Sequence, residues 1–414
     1  MHIWIDARSP YAFEKVYSIA LIERLLRQLF ELGIRKHVTV ILTPNTQLDR
    51  CLRQDFWPRF PLEFDTVFSQ APLLQLVHSE KAADQPALLL EGDGIYDDRV
   101  LKQLLTSRNS LCIHGRNKAE TPLAVIVHPE DRQHLHINTR PMQEFLHQGV
   151  QKGWLQILSV DDMDPYIRDL RQTAVPSLLK LRHKECIRAI ENELYEKTFK
   201  GVMDFIATYI YRIPVRELVR LLAPTRITPN HITTLSVICS FAAIPLFVMG
   251  WMWTGLVVAF TFIIADSLDG KLARLTIRLS KVAGHVDHFT SPLFEAGYYL
   301  AWGWHFSGGD FFTLPGTAGL LLFGFFGLDR ITTSVFGLKF RHSLLDYTVA
   351  DARFHLIAGR RTINLFIMTL GCAFHRPIFA LYAITIWMFI TMLWHMYRFA
   401  LHACGSKLTS SIAR

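Results

Sequence analysis

Three aspartates in the second half of the chain have the spacing of a metal-and-phosphate site. Asp266 and Asp269 lie three residues apart and Ala273 follows four residues later, so all three share one helical face. Asp287 and Ser291, four apart, share a face of the next apolar segment. Two helices meeting along these faces would form a pocket of hard carboxylate oxygens. That donor set suits Mg²⁺ or Mn²⁺ bridging to phosphate. Gly270 and Ala273 remove bulk beside it, and Arg274 can hold phosphate or orient a carboxylate. Ionisable groups within apolar segments are costly and mark function by default. One aspartate near a helix end can be a snorkelling charge; three with Gly, Ala and Arg at matched spacing are poorly explained that way.

The elements that must position these residues are membrane helices. From Ile227 to Ala265 the chain contains no Asp, Glu, Lys or Arg. That run is longer than the roughly 20 residues one span requires. The second half offers six candidate spans, at about 231–250, 254–272, 284–305, 313–337, 358–375 and 377–399. The loop after the second holds Lys271, Arg274, Arg278 and Lys281, and the loop after the fourth holds Lys339, Arg341, Arg353, Arg360 and Arg361. The opposite loops hold only Arg376. The bias of positive charge places both termini and the aspartates on the cytosolic side. The net charge of +8 is distributed as topology requires, so a nucleic-acid partner is not expected. The six cysteines lie far apart, with neither zinc spacing nor a disulfide framework.

The first half alternates short β-rich runs with helical patterns. His37–Leu42, Ala87–Leu90, Leu123–Val127 and Leu155–Leu158 are strand candidates, and Ile19–Leu32 is an amphipathic helix ended by Gly33. The spacing predicts an α/β domain with a mostly parallel, Rossmann-type sheet over residues 1–165. Residues 166–226 read as a helical linker, and Ile213–Leu222 is amphipathic enough either to lie on the membrane surface or to pack on the front domain. Residues 227–403 form the all-α membrane domain. The N-terminus lacks the basic region and long apolar core of a signal peptide, so the front domain is expected in the cytosol.

The stretch Asp266-Ser-Leu-Asp269-Gly270-Lys-Leu-Ala273-Arg274 resembles the motif D-x-x-D-G-x-x-A-R-x8-G-x3-D-x3-D of the CDP-alcohol phosphotransferase family. Ala283 then falls on the second Gly, Asp287 on the third Asp and Ser291 on the fourth. Thr228-Pro229-Asn230-His-Ile-Thr233 is similar to the segment opening the family's first span, and Arg360-Arg361-Thr-Ile-Asn364 to that preceding its fifth. The resemblance covers roughly residues 205–400. It implies six transmembrane helices, often a homodimer, and a cytosolic active site in an inner (plasma) membrane. It also implies two divalent ions (Mg²⁺ or Mn²⁺) holding the pyrophosphate of a CDP-linked donor. An acceptor alcohol attacks the β-phosphorus and CMP leaves, as in phospholipid biosynthesis. Asp266, Asp269 and Asp287 would then be metal ligands, and Gly270, Ala273, Arg274 and Asn230 would shape the nucleotide site.

The departure falls on the last position. In the family that aspartate is the general base and a ligand of the second metal, whereas serine is a poor base near neutral pH. His288 and Glu295, three before and four after Ser291, are the groups placed to compensate. Arg330, Arg341, Arg360 and Arg361 either hold a phosphorylated headgroup on the acceptor or simply set topology. The front domain is similar to the cytidylyltransferase half of bifunctional inositol-phosphate cytidylyltransferase–phosphotransferases. The similarity lies at Glu14–Arg24 and at Leu90-Glu-Gly92-Asp93-Gly94-Ile-Tyr-Asp97, with Asp161 or Asp162 in the place of a second metal Asp. The glycine-rich phosphate loop is missing: the chain reads Asp6-Ala-Arg8-Ser-Pro10 there, which implies a degenerate nucleotidyltransferase-like fold. Two other readings stay open, a silent lipid- or nucleotide-binding relative and an ion-coupled transporter.

Overall fold

Strands with alternating inward residues, separated by amphipathic helices, build the front of the chain in three layers. A computed structural model of the protein describes residues 1–44, 62–78, 84–116, 121–135, 142–167, 170, 172–199, 201–278 and 281–412, with the side chains of 134–135, 281–291 and 404–412 outside that description. Two units result. The first comprises Met1–Asp169, Thr173–Thr198 and Leu275–Ile277; the second comprises Leu170–Gln172, Phe199–Arg274 and Arg278–Arg414.

In the first unit a seven-stranded sheet contains β1 (His2–Asp6), β2 (Val38–Leu42), β3 (Phe64–Phe68), β4 (Ala87–Glu91), β5 (Leu111–His114), β6 (Ala124–Val127) and β7 (Gln156–Ser159). Their spatial order is β7-β5-β6-β4-β1-β2-β3. All neighbours are parallel except β6, which runs antiparallel to both β4 and β5. Side chains alternate across the sheet. Ile3, Ile5, Val40, Leu88 and Leu90 face helices α1 (Leu21–Glu31) and α3 (Asp98–Thr106). Trp4, Ile41, Leu89 and Val125 face α2 (Leu73–His78) and α4 (Met142–Gln151). The sheet reverses direction of construction between β1 and β4, the place where α/β folds open a crevice at the strand ends.

Residues 166–226, expected as a helical linker, include strands at Tyr166–Ile167, Gln172–Thr173 and Leu178–Lys180 before α5 (Ile187–Glu196) begins. Leu178–Lys180 pairs with Gly94–Tyr96, so backbone pairing overrides the Lys- and Leu-rich helical pattern there.

The second unit is helical: α6 (Phe205–Tyr209), α7 (Arg212–Leu222), α8 (Pro229–Val248), α9 (Met252–Leu275), α10 (Lys281–Phe306), α11 (Leu314–Phe340), α12 (Val349–His355), α13 (Arg361–Ala373) and α14 (Pro377–Ile412). Among the described residues three segments, Pro229–Val248, Leu314–Phe340 and Pro377–Ala403, are long and apolar enough to cross a membrane. That is fewer than the six spans expected. One reason is visible: α13 has 13 residues, short of the roughly 20 a span requires. Large apolar side chains point outward, with Phe241, Trp251, Val257 and Ile386 each at least 60% exposed, as a lipid-facing surface requires. Inside, Phe247, Tyr298, Tyr299, Trp302 and Phe326 pack together. Helices α10 and α11 cross at Gly303 and Gly319, where an added Cβ would lie 2.8 and 2.5 Å from the facing Cα.

Candidate active site

Local chemistry places the first participant. Thr228 caps α8, accepting from the His231 backbone, while the Thr228 backbone N–H donates to His231 Nδ1 at 3.3 Å. Pro229 occupies the first helical turn, where a missing N–H costs nothing. The Thr-Pro-Asn stretch is therefore a helix start, and it aims Thr233 one turn later. Thr233 Oγ1 donates to Asp269 Oδ2 at 2.6 Å, and the Gly270 N–H donates to Asp269 Oδ1 at 2.5 Å.

Asp266 is held from another helix. Arg361, in the first turn of α13, donates to Asp266 Oδ2 at 2.8 Å, and its guanidinium lies 4.3 Å from the centre of the Phe262 ring. Arg274 folds back over its own helix, since a Cβ on Gly270 would sit 3.3 Å from the Arg274 Nη2. Glycine at 270 thus leaves room for the guanidinium beside Asp269. Of the other residues expected in the nucleotide site, Ala273 is half-buried and Asn230 is exposed.

Glu295 does not stand as an available base. It is 2% exposed, accepts from Tyr299 Oη at 2.7 Å, and pairs with Arg330 at 3.1 Å. Asn364 Nδ2 donates to the same Tyr299 Oη at 2.6 Å. The carboxylate anchors a polar network linking α10, α11 and α13. Arg360 precedes the first turn of α13 without a side-chain cap and donates to His355 Nε2 at 3.2 Å. Arg341 ends α11 in a left-handed conformation, φ 53°. The side chains of Asp287, His288 and Ser291 lie outside the described residues; their backbones belong to α10. Among the described residues no three His, Cys, Asp or Glu side chains converge. Asp266 and Asp269 supply two hard-oxygen donors on one face, which fits Mg²⁺ or Mn²⁺.

Sequence reasoning did not single out Thr233 or the pairing of Arg361 with Asp266. The signal for Thr233 was its position one turn inside a capped helix start; the Arg361 pairing spans residues 95 positions apart and has no local signal.

In the first unit the strand-end crevice is occupied by its own side chains. Arg8 donates to Asp6 through Nε at 2.8 Å and Nη2 at 2.5 Å, and to the Ala71 carbonyl at 2.6 Å. Gly92 lies so close to Ala7 that a Cβ there would meet Ala7 Cβ at 3.0 Å. Lys180 bridges Glu91 at 2.7 Å and Asp93 at 3.9 Å. Burial pushes the Asp93 carboxyl above its ordinary range, against the pull of Lys180. Asp161 pairs with Arg116, and Glu14 with Lys184.

Three helices long and apolar enough to cross a membrane, with paired carboxylates, a glycine and two arginines brought together beside them, describe a membrane protein. Residues 226–296 match the CDP-alcohol phosphatidyltransferase family. The chain is 30% identical over 164 residues to Inner membrane protein YnjF of Escherichia coli (strain K12), an alignment covering 39% of this chain and 76% of that protein. The chain belongs to the CDP-alcohol phosphatidyltransferase family. The inositol-1-phosphate CTP transferase from T. maritima is similar in structure with a TM-score of 0.32 and 8% identity, covering 45% of this chain and 94% of that one.

Proposed function

We propose that the helical unit transfers a phosphoalcohol group from a CDP-linked donor to an acceptor alcohol, releasing CMP, with the site on the cytosolic side of the membrane. The observation that carries this reading is the presentation of Asp266 and Asp269 on one face of α9, each held by a group from a different helix. With Asp287 they would hold Mg²⁺ or Mn²⁺, which neutralises charge on the leaving phosphate. Thr233 and Arg361 hold the two carboxylates in place, and Arg274 lies beside Asp269 to receive phosphate. The acceptor oxygen forms the new bond to the β-phosphorus as the bond to CMP breaks, and the acceptor's proton goes to a base on α10. His288 is the residue we assign to that role, because Ser291 is a poor base and Glu295 is engaged by Arg330 and Tyr299.

A lipid-linked donor is supported by a groove of about 300 Å³ lined by Phe205, Ile206, Ile210, Ile357, Ile363 and Phe366, almost wholly apolar and suited to an acyl chain. Ile363 and Phe366 lie on α13, the helix that begins with Arg361. Arg330 and Arg360 would serve a phosphorylated acceptor. For the first unit we propose a degenerate nucleotidyltransferase without cytidylyltransferase activity, because Arg8 and Ala7 fill the crevice where a phosphate loop would wrap. The reading as a silent relative is favoured by Ser291 and by the missing glycine-rich loop at Asp6–Pro10. Purified protein incubated with CDP-diacylglycerol, Mn²⁺ and a panel of alcohols and alcohol phosphates should yield CMP and one new phosphodiester by mass spectrometry. Neither product across the panel, with a folded protein, would make the silent relative the better reading.

A further inference from the structure

Asp266 meets a cation that belongs to the chain itself. Arg361 Nη2 donates to Asp266 Oδ2 at 2.8 Å, and the two side chains are mostly buried, 17% and 19% exposed. The guanidinium also lies 4.3 Å from the centre of the Phe262 ring, on the turn of α9 before Asp266. A ring face attracts a cation, so α9 holds Arg361 by a charge and by a ring.

The start of α13 does not by itself favour an arginine. A helix N-terminus carries partial positive charge, which disfavours a cation in the first turn and favours an anion. Arg361 is the first residue of α13, Arg360 stands at the N-cap position without a side-chain cap, and no acidic residue lies in that turn. Positive charge thus gathers at one point of the helical unit, and the carboxylate that meets Arg361 there comes from α9, 95 positions away.

The α9 carboxylates are matched one for one. Asp266 has Arg361, and Arg274 lies beside Asp269. Two carboxylates with two guanidiniums are close to neutral as a group, whereas a divalent ion is drawn by carboxylate charge that nothing else has offset. A divalent ion and the Arg361 guanidinium make the same demand on Asp266, and two cations brought together in a partly buried site repel each other. A diphosphate supplies the negative charge that lets both remain, because guanidinium and phosphate pair strongly.

We propose that Arg361 is a tethered counter-cation of Asp266 that a divalent ion must displace, so that the ion binds weakly alone and tightly together with a diphosphate. This rests on the reading of Asp266 and Asp269 as metal ligands, and it gives their two supports opposite signs. Thr233 favours the metal-bound carboxylate; Arg361 holds Asp266 until the metal takes it.

Titration of the purified full-length protein with Mn²⁺, following the electron paramagnetic resonance signal of the free ion, tests this without turnover. Each titration is run with and without CDP as the diphosphate probe and corrected for the Mn²⁺ that CDP binds alone. Arg361→Gln should raise the affinity for Mn²⁺ without CDP by about tenfold, the scale on which partners of metal ligands act. It should also shrink the gain that CDP confers, because one cation fewer needs the diphosphate. Arg361→Lys keeps the charge and should bind Mn²⁺ like the wild type. Phe262→Leu keeps apolar bulk and removes the ring, so it should raise Mn²⁺ affinity about two- to threefold and serves if Arg361→Gln does not fold. A residue that merely held Asp266 in place would give the opposite sign. Unchanged or weaker Mn²⁺ binding in Arg361→Gln, or in Phe262→Leu where that variant stands in for it, overturns the proposal. Asp266→Asn separates the two levels of failure. If it loses Mn²⁺ while Arg361→Gln gains none, the counter-cation alone fails; if it binds Mn²⁺ like the wild type, the metal-site reading fails and the proposal with it.

Discussion

Replacing Thr233 by valine removes the hydroxyl that holds Asp269 and preserves the side chain's shape. The hydroxyl has one proton, and the 2.6 Å contact with Asp269 is shorter than the 3.1 Å approach to the Pro229 carbonyl, so the carboxylate receives it. A hydrogen bond to a charged group contributes about 1.5–3 kcal/mol net. If that energy orients a metal ligand, its loss weakens Mn²⁺ binding about 10- to 100-fold, the range that partners of metal ligands commonly show. The assay is a titration of purified protein with Mn²⁺, following the electron paramagnetic resonance signal of the free ion. Thr233→Ser should bind like the wild type, because it keeps the donor. An unchanged Mn²⁺ affinity in a folded Thr233→Val protein would refute the account of how Asp269 is held.

Glu295→Gln should lower thermal stability, because it weakens the buried pairing with Arg330 and the bond from Tyr299, while leaving the shape of the pH–rate profile unchanged; loss of one limb of that profile would identify Glu295 as the base. Gly303→Val should destabilise the helical unit by about 1–3 kcal/mol in thermal unfolding, because its side chain must enter the crossing with Gly319. Asp93→Asn should stabilise the first unit at pH 7 and do less at pH 4. A carboxyl raised by burial keeps its proton better in the folded state, so stability is full below the unfolded value and falls as pH rises through the folded one; removing the charge removes that loss. Equal unfolding midpoints for Asp93→Asn and the wild type at both pH values would contradict this.

The parts of this protein that are legible from residues alone are those written in local chemistry. The aspartate spacing of Asp266 and Asp269 places both on one helix face because helical periodicity is short-range. Gly33 ends α1 where the φ it alone adopts easily is required. The strands at Val38–Leu42 and Ala87–Glu91 follow from short, mostly apolar runs buried on both faces. By contrast, β3 is an exposed edge strand with Asp65 and Thr66 in it, so its pairing with β2 is set by the sheet and not by its composition. The same holds for Leu178–Lys180, whose partner lies at Gly94–Tyr96. The site's supports are long-range in the same sense. Arg361 reads as a topology-setting charge until it meets Asp266, and Glu295 reads as a spare base until Tyr299 and Arg330 engage it.

The central claim is that the carboxylates of α9 carry metal-dependent transfer from a CDP-linked donor. The most direct measurement is CMP release from CDP-diacylglycerol by the purified full-length protein, with and without Mn²⁺, for the wild type and for Asp266→Asn. The account predicts release that requires Mn²⁺ and the identified acceptor and is lost in Asp266→Asn, with the variant still folded. Release that continues at the wild-type rate without Asp266, or after complete chelation of divalent ions, would contradict it.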